Sequence, residues 1–284
     1  MNIGEALIKS NFTLKDAEIE NYILDSQLLM CKVLNKDKMF ILMNREEELS
    51  KSQEEEFFKL VELRRKKMPT KYILGKTEFM GLDILIKPGV LIPRADTEIL
   101  VEEAIKIIKE NSYLKVCDLC SGSGAIGVAI CSFLKDITLN SYDIDEVALD
   151  VTERNIFNLN LEQRAKVQYS DLLQKAIEDK ESFDMIVSNP PYIRKDVIPT
   201  LMEDVKDYEP YIALCGGEDG LNFYRTITTQ SLKVLKKGGA LAYEIGHDQK
   251  DDVSSILKEN GFEGIYALQD FSGLDRVVIG FLPK

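Results

Sequence analysis

Apolar positions in the first 68 residues recur at helical spacing. Ala17, Leu24, Leu28 and Cys31 fall on one predicted face, and Phe57, Leu60 and Val61 on another. Ser50 followed by Gln53 reads as a capping box that opens the later helix, and Pro69 closes the pattern. No strand signal interrupts it, so residues 1–68 are expected to form a small all-α domain. Residues 69–94 change character. Two β-like runs, 77–86 and 90–92, flank the turn signal Lys87-Pro88-Gly89 and predict a β-hairpin linker. Asp96 or Thr97 is placed to cap a helix running to about residue 110.

From Lys115 onward, short apolar runs alternate with helical patterns. The runs fall at 116–119, 137–142, 166–169, 185–188 and 240–245. Strands separated by helices imply a parallel sheet covered on both faces. A last helix near 249–259 precedes two strand-like segments, 264–268 and 275–281, which predict a closing antiparallel hairpin. The expected class is therefore α/β: a Rossmann-like, mostly parallel sheet over residues 95–284, ending in an antiparallel hairpin and preceded by the helical domain.

Composition narrows the partners. The chain of 284 residues carries a net charge of −12. Residues 1–68 hold 12 Lys+Arg and 13 Asp+Glu, so about −11 belongs to the remainder. A nucleic-acid grip needs a basic face that displaces phosphate counterions, and none is present. The one dense basic run, Arg64-Arg65-Lys66-Lys67, sits at a helix end, where it complements the dipole. No apolar run reaches membrane-spanning length, and the first residues lack a basic stretch followed by an apolar one, so cytoplasmic retention is expected. Of the five cysteines, Cys117 and Cys120 form a C-x-x-C. Cys117 lies inside a strand pattern and no second pair or nearby His completes a zinc site, so structural cysteines and no metal are expected.

Two motifs carry chemistry. After the first strand of the parallel set comes Asp118-Leu119-Cys120-Ser121-Gly122-Ser123-Gly124. Its glycines permit a tight turn and close backbone approach at a helix N-terminus. Asp143 ends the next strand, 21 residues past Gly122, where a carboxylate can accept bonds from ribose hydroxyls. A nicotinamide dinucleotide would suit the glycines. Asp118, however, suits a cationic amino-acid moiety and would repel a pyrophosphate, which favours S-adenosylmethionine. The second motif is Asn189-Pro190-Pro191-Tyr192, directly after the strand pattern Phe183-Asp184-Met185-Ile186-Val187-Ser188. Two prolines cannot continue a central strand. The chain must leave in a stiff turn that carries an amide, free carbonyls and an aromatic ring, which suits it to hold a planar NH2 group.

With both motifs in place, the chain resembles the class I S-adenosylmethionine-dependent methyltransferases, and within them the release factor glutamine methyltransferases. Leu91-Ile92-Pro93-Arg94-Ala95-Asp96-Thr97-Glu98 is similar to the family segment before the catalytic domain. Tyr208-Glu209-Pro210, Gly216-Gly217-Glu218-Asp219-Gly220-Leu221, Glu244-Ile245-Gly246 and Asp275-Arg276-Val277 follow in family order. The Asn-Pro-Pro-Tyr turn alone is shared with amino-adenine DNA methyltransferases. The family usually has Gly at the position of Cys120, which is therefore expected to take a backbone compatible with a side chain. It usually has Pro-Glu in place of Ala95-Asp96.

The resemblance implies methyl transfer to the glutamine amide of the Gly-Gly-Gln motif in class 1 release factors. Asn189, Pro190, Pro191 and Tyr192 would bind the substrate: Asn189 and the Pro190 carbonyl would accept bonds from its NH2, and Tyr192 would pack against it. Asp118, Cys120, Ser121, Gly122, Ser123, Gly124, Asp143 and Asn189 would surround the cofactor, with Asp171 and Leu172 beside the adenine. The helical domain would recognise the release factor. A monomer without stable nucleic-acid binding or membrane attachment is expected. Arg94, Glu98 and the Glu218-Asp219 pair are candidates for the cleft wall, and His247 for a helix cap. A ribosomal-protein glutamine methyltransferase, a DNA or RNA amino-group methyltransferase and a non-enzymatic cofactor-binding regulator are the alternatives.

Overall fold

The structure, a computed structural model, describes residues 1–284 and divides into two compact units. One comprises Met1–Lys76 with Met202–Tyr208, the other Thr77–Leu201 with Glu209–Lys284. The first is helical: α1 (Ile3–Asp16), α2 (Tyr22–Leu34), α3 (Lys38–Met43), α4 (Lys51–Arg65) and α5 (Thr70–Leu74). Ser50 accepts from the Gln53 N–H and the Gln53 side chain returns the bond, so the expected capping box opens α4. Ile3, Leu14, Leu29, Met30, Ile41 and Phe57 fill the core.

Three local readings of this region need correction. Ala17 lies beyond the end of α1, so it shares no helix with Leu24, Leu28 and Cys31. Leu24 is exposed, and α2 turns Asp25, Ser26, Leu29 and Met30 inward instead. Leu29 and Met30 join the apolar core, and the buried Asp25 on the same face is paired. Arg64 Nε on α4 meets Asp25 Oδ2 at 2.7 Å, with side chains only 12% and 9% exposed, and Arg64 Nη1 donates to the Met68 carbonyl. The basic run is largely consumed in this way: Arg65 pairs with Glu62, and Lys67 donates to the Glu18 carbonyl. Finally, Pro69 does not end the helical region but precedes α5, because a residue ahead of a first turn needs no N–H.

The second unit begins with a hairpin, β1 (Lys76–Phe79) and β2 (Leu82–Leu85). Its turn is Met80-Gly81, both at positive φ (52° and 73°), as a two-residue hairpin requires. The turn at Lys87-Pro88-Gly89 exists, closed by a Val90 N–H to Lys87 carbonyl bond of 3.3 Å, but no strand follows it. The hairpin therefore lies one turn earlier than the sequence predicts, because nothing in the residue type marks Met80 as a left-handed position.

The main sheet contains β3 (Lys115–Leu119), β4 (Thr138–Asp143), β5 (Ala165–Tyr169), β6 (Phe183–Ser188), β7 (Leu235–Glu244), β8 (Glu263–Gln269) and β9 (Asp275–Phe281). Their order is β5-β4-β3-β6-β7-β9-β8, parallel except for the antiparallel β7-β9 and β9-β8 pairs, as the alternation predicted. Around it lie α6 (Glu98–Asn111), α7 (Ala125–Phe133), α8 (Glu146–Asn158), α9 (Gln174–Glu178), α11 (Tyr211–Leu214), α12 (Asn222–Ser231) and α13 (Lys250–Glu259); the short α10 (Glu203–Lys206) belongs to the helical unit. From β3 the chain winds outward to β4 and β5, then returns to place β6 on the other side of β3. The crevice at the carboxyl ends of β3 and β6 is the switch point where such sheets bind ligands.

Removing the Arg64 side chain leaves the Asp25 carboxylate buried without its partner. Arg64→Ala is expected to lower unfolding free energy by about 3 kcal/mol in urea titrations of the full chain. The double variant Asp25→Leu/Arg64→Leu should lose much less, since an apolar pair needs no solvation.

Candidate active site

A cavity of about 250 Å³ opens at that switch point. Cys120 and Gly122 from the loop after β3, Asp143 and Ile144 after β4, Asp171 and Leu172 after β5, and Asn189 and Pro191 after β6 all line it. Residues 89–91 and Pro210, Ile212, Ala213 and Phe223 close the far wall. The strand ends thus bring together most of the residues singled out in the sequence. Ser121 and Ser123 turn away: Ser121 Oγ meets Thr152 Oγ1 at 3.4 Å, and the Ser123 carbonyl accepts from Asn155. Gly124 sits at the N-cap of α7 with φ +76°, where a Cβ would lie 2.8 Å from Thr152.

The loop is held by its own acids. Asp143 Oδ2 accepts from the Gly122 N–H at 2.8 Å, and its Oδ1 from the Asp145 N–H at 3.0 Å. Burial raises the Asp143 carboxyl above its ordinary range despite these bonds. Asp118 is only 1% exposed; its Oδ2 accepts from the Gly127 N–H at 3.0 Å, whereas Oδ1 is buried without a hydrogen-bond partner. Burial pushes this carboxyl up to about 7, with the Gly127 bond opposing and nearby Asp143 reinforcing the shift. Asp118 does not itself line the cavity; its orphaned oxygen lies behind the glycine loop, and a carboxylate there suits a cationic rather than an anionic ligand group. Open space at Gly122, where an added Cβ meets nothing within 4 Å, fits a ligand passing close to the backbone.

Cys120 departs from expectation. Its φ is +58°, in the left-handed region, so it does not take a conformation that suits a side chain. It keeps the backbone that glycine would adopt freely, at a cost of about 1–2 kcal/mol for an L-residue. Burial pushes its thiol well up, so it is a neutral group in the wall and a poor nucleophile.

The 189–192 turn rests against a second glycine loop. Ile193 N–H donates to the Leu214 carbonyl, Gly216 N–H to the Ile193 carbonyl and Lys195 N–H to the Gly217 carbonyl, a short parallel ladder. A Cβ on Gly216 would sit 2.7 Å from Tyr192 Cα, and one on Gly220 would sit 2.4 Å from the Tyr192 oxygen. Between these backbones lies Gln249, buried at the N-cap of α13. Its Nε2 donates to the carbonyls of Tyr192 (3.1 Å) and Gly220 (3.3 Å), and its Oε1 accepts from the Gly246 N–H (3.0 Å). Sequence reasoning missed Gln249. Its only signal was a polar residue three positions after the Gly246 bend, the spacing of a side chain folding back on the backbone.

Several candidates for the cleft wall have other work. Glu98 accepts from the Met80 N–H at 2.7 Å and pins the hairpin turn. Arg94 Nη2 donates to the buried Glu209 at 2.6 Å, joining residues 91–94 to the Pro210 wall. Glu218 is exposed and pairs with Lys195, while Asp219 pairs with Arg225 and accepts from the Leu221 N–H. His247 is exposed ahead of α13 and caps nothing. Asp96 does not cap α6; it lies 3.4 Å from Arg276, and the Thr97 N-cap makes no side-chain bond to the helix. The missed wall residues Ile144, Ile212 and Phe223 are apolar, and nothing in their sequence spacing distinguishes wall from core.

Gln249→Ala would strand three buried backbone groups. A loss of about 2 kcal/mol or more in stability is expected, with Gln249→Glu also destabilised because a carboxylate cannot donate to the two carbonyls; thermal unfolding checks both.

A sequence model of the PrmC N-terminal domain matches residues 5–75, and one of the methyltransferase small domain matches residues 95–204. The release factor glutamine methyltransferase of Clostridium acetobutylicum is 53% identical over 279 residues, covering 98% of both chains. That of Clostridium botulinum is 52% identical, again over 98% of both. The N-terminal domain of human METTL16, solved in complex with SAH, shares the fold with a TM-score of 0.51 at 18% identity, over 70% of this chain and 75% of that one. With about half its residues shared along nearly its whole length, the chain belongs to the release factor glutamine methyltransferase family.

Proposed function

We propose that this chain transfers a methyl group from S-adenosylmethionine to the side-chain amide nitrogen of the glutamine in the Gly-Gly-Gln motif of class 1 release factors. The observation that carries the reading is the placement of Asn189. Asn189 lines the cavity from a turn that carries two prolines, beside a glycine loop behind which the buried Asp118 keeps one oxygen without a hydrogen-bond partner. Asp118 would hold the cofactor's ammonium, Asp143 its ribose, and Asp171 with Leu172 the adenine. When bound, the cofactor supplies a methyl group activated by a sulfonium.

The chain's own task is orientation. An amide nitrogen is a weak nucleophile because its lone pair is delocalised into the carbonyl. Asn189 Oδ1 and the Pro190 carbonyl would each accept one N–H of the substrate, leaving the lone pair directed into the cavity. Tyr192 packs against the plane of the amide, and its ring is braced through a hydroxyl bond to Glu244 at 3.4 Å. Such positioning can supply several kcal/mol when reacting atoms are held about 3–3.5 Å apart. No strong base need act first, because the nitrogen becomes acidic once methylated.

The proposal extends to the surroundings. The helical unit serves as the recognition module for the release factor, and the protein acts as a cytoplasmic monomer without stable nucleic-acid binding. No helix is long and apolar enough to cross a membrane, and the net charge of −12 opposes a phosphate backbone.

Mass spectrometry of a class 1 release factor incubated with the protein and S-adenosylmethionine tests the reading. One added methyl on the Gly-Gly-Gln glutamine is expected, abolished by Asn189→Ala; label on ribosomal protein or nucleic acid instead would overturn the substrate. Asp118 gives a second prediction. Its folded-state value of about 7 lies above the unfolded value of 3.8, so the ligand-free fold is favoured by the protonated form and loses stability as pH rises between them. An ammonium ligand needs the ionised form. Calorimetric affinity for S-adenosylmethionine should therefore weaken below neutrality, by up to about tenfold per pH unit, and this dependence should be lost in Asp118→Asn.

A further inference from the structure

Glu244 is a buried carboxylate that the reaction, as set out above, uses only through Tyr192. Three observations place it beside the turn. First, the parallel register of β6 and β7 pairs Ser188 with Tyr243, so the next residues along the two strands, Asn189 and Glu244, are neighbours at the carboxyl edge. Residues adjacent in register direct their side chains to the same face of a sheet. Second, Glu244 is 3% exposed, and its Oε1 accepts the Tyr192 hydroxyl at 3.4 Å while its Oε2 is buried with no hydrogen-bond partner. Third, the side chains of Thr97 and Asn189 lie close enough to that carboxylate to favour its charged form, although neither reaches it at ordinary hydrogen-bond geometry.

A carboxylate only accepts, and an Asn carboxamide has one accepting and one donating end. Placed beside Glu244, the amide gains by presenting Nδ2 to the carboxylate and loses by presenting Oδ1. We propose that Glu244 is the positioning residue that fixes which end of the Asn189 carboxamide faces the cavity: it takes the Nδ2 group, leaving Oδ1 for the substrate NH2. The inference rests on the substrate reading above, for which an acceptor, not a donor, must point at the substrate. The same carboxylate braces the Tyr192 ring, so one buried group sets both side chains of the turn.

The surroundings make this arrangement dependent on pH. Burial raises the Glu244 carboxyl to about 7; Thr97, Arg276 and Asn189 oppose the shift, and Asp96 adds to it. Tyr192 and Tyr224, which donates to the Glu244 backbone carbonyl, are held neutral by burial and stay donors across this range. Arg276 is itself shared, with Asp270 at 2.8 Å and Asp96 at 3.4 Å, so it does not neutralise Glu244 alone. Below about 7 the carboxyl is protonated. Its hold on the Asn189 Nδ2 group then weakens, and the amide can turn over.

Nuclear magnetic resonance of the isotope-labelled full chain, without cofactor or release factor, is the test. The side-chain amide signals of Asn189, identified by their loss in Asn189→Ala, should shift with a midpoint near the Glu244 value of about 7. The shift should vanish in Glu244→Gln. In the methylation assay, Glu244→Gln should lower kcat by about tenfold or more while both KM values change little, and Glu244→Asp should recover part of the loss. An Asn189 signal that does not titrate in the wild type overturns the proposal whether or not the variant folds. So does a folded Glu244→Gln protein with an unchanged titration. If Asn189 titrates with Glu244 but no release factor is methylated, the positioning role stands and the substrate reading falls.

Discussion

Two adjacent prolines at the end of a central strand force the chain out of the sheet at a fixed point, and much of the site is arranged to accommodate that exit. Pro190 and Pro191 remove two N–H groups from any ladder, so the carbonyls and N–H groups around them must find partners elsewhere. Residues 214–220 provide these by approaching so closely that only glycine fits at Gly216 and Gly220. Gln249 closes the remaining gap with one side chain that satisfies both backbones. The turn is thus bonded to a loop whose glycines leave no space for a side chain between the two backbones.

Buried acids are the other organising theme. Asp118 and Glu244 lie at the carboxyl ends of β3 and β7, on either side of Asn189, and each keeps one oxygen without a hydrogen-bond partner. A buried carboxylate with an unused lone pair destabilises the fold unless a donor arrives. Neither oxygen is satisfied by the fold itself, and the roles proposed above would supply the missing donor: a cationic ligand at Asp118 and a carboxamide at Glu244.

The sheet was legible in the sequence because its central parallel strands leave short apolar runs between helical patterns, and all seven strands appear near their predicted places. The motif residues were legible because glycine, proline and strand-end acids mark the carboxyl edge by their backbone demands. Where reading failed, the deciding interaction was tertiary. Asp25, the charged residue on the inward face of α2, finds its partner in Arg64, 39 residues away. The hairpin turn uses Met80 in a conformation that residue rarely adopts. Cys120 keeps a glycine's backbone although it carries a side chain. Gln249 and Glu244 gain their roles only when the 189–192 turn and the register of β6 against β7 are known.

The short segment Met202–Tyr208 belongs to the helical unit, although the chain on both sides of it belongs to the sheet unit. The Tyr208 hydroxyl donates to the Lys66 carbonyl, fastening the segment to the end of α4. The peptide therefore passes between the units three times, after Lys76, Leu201 and Tyr208. No single cut yields both halves intact: a break after Lys76 parts the helices from their last piece. Neither unit is therefore a single continuous stretch of the chain.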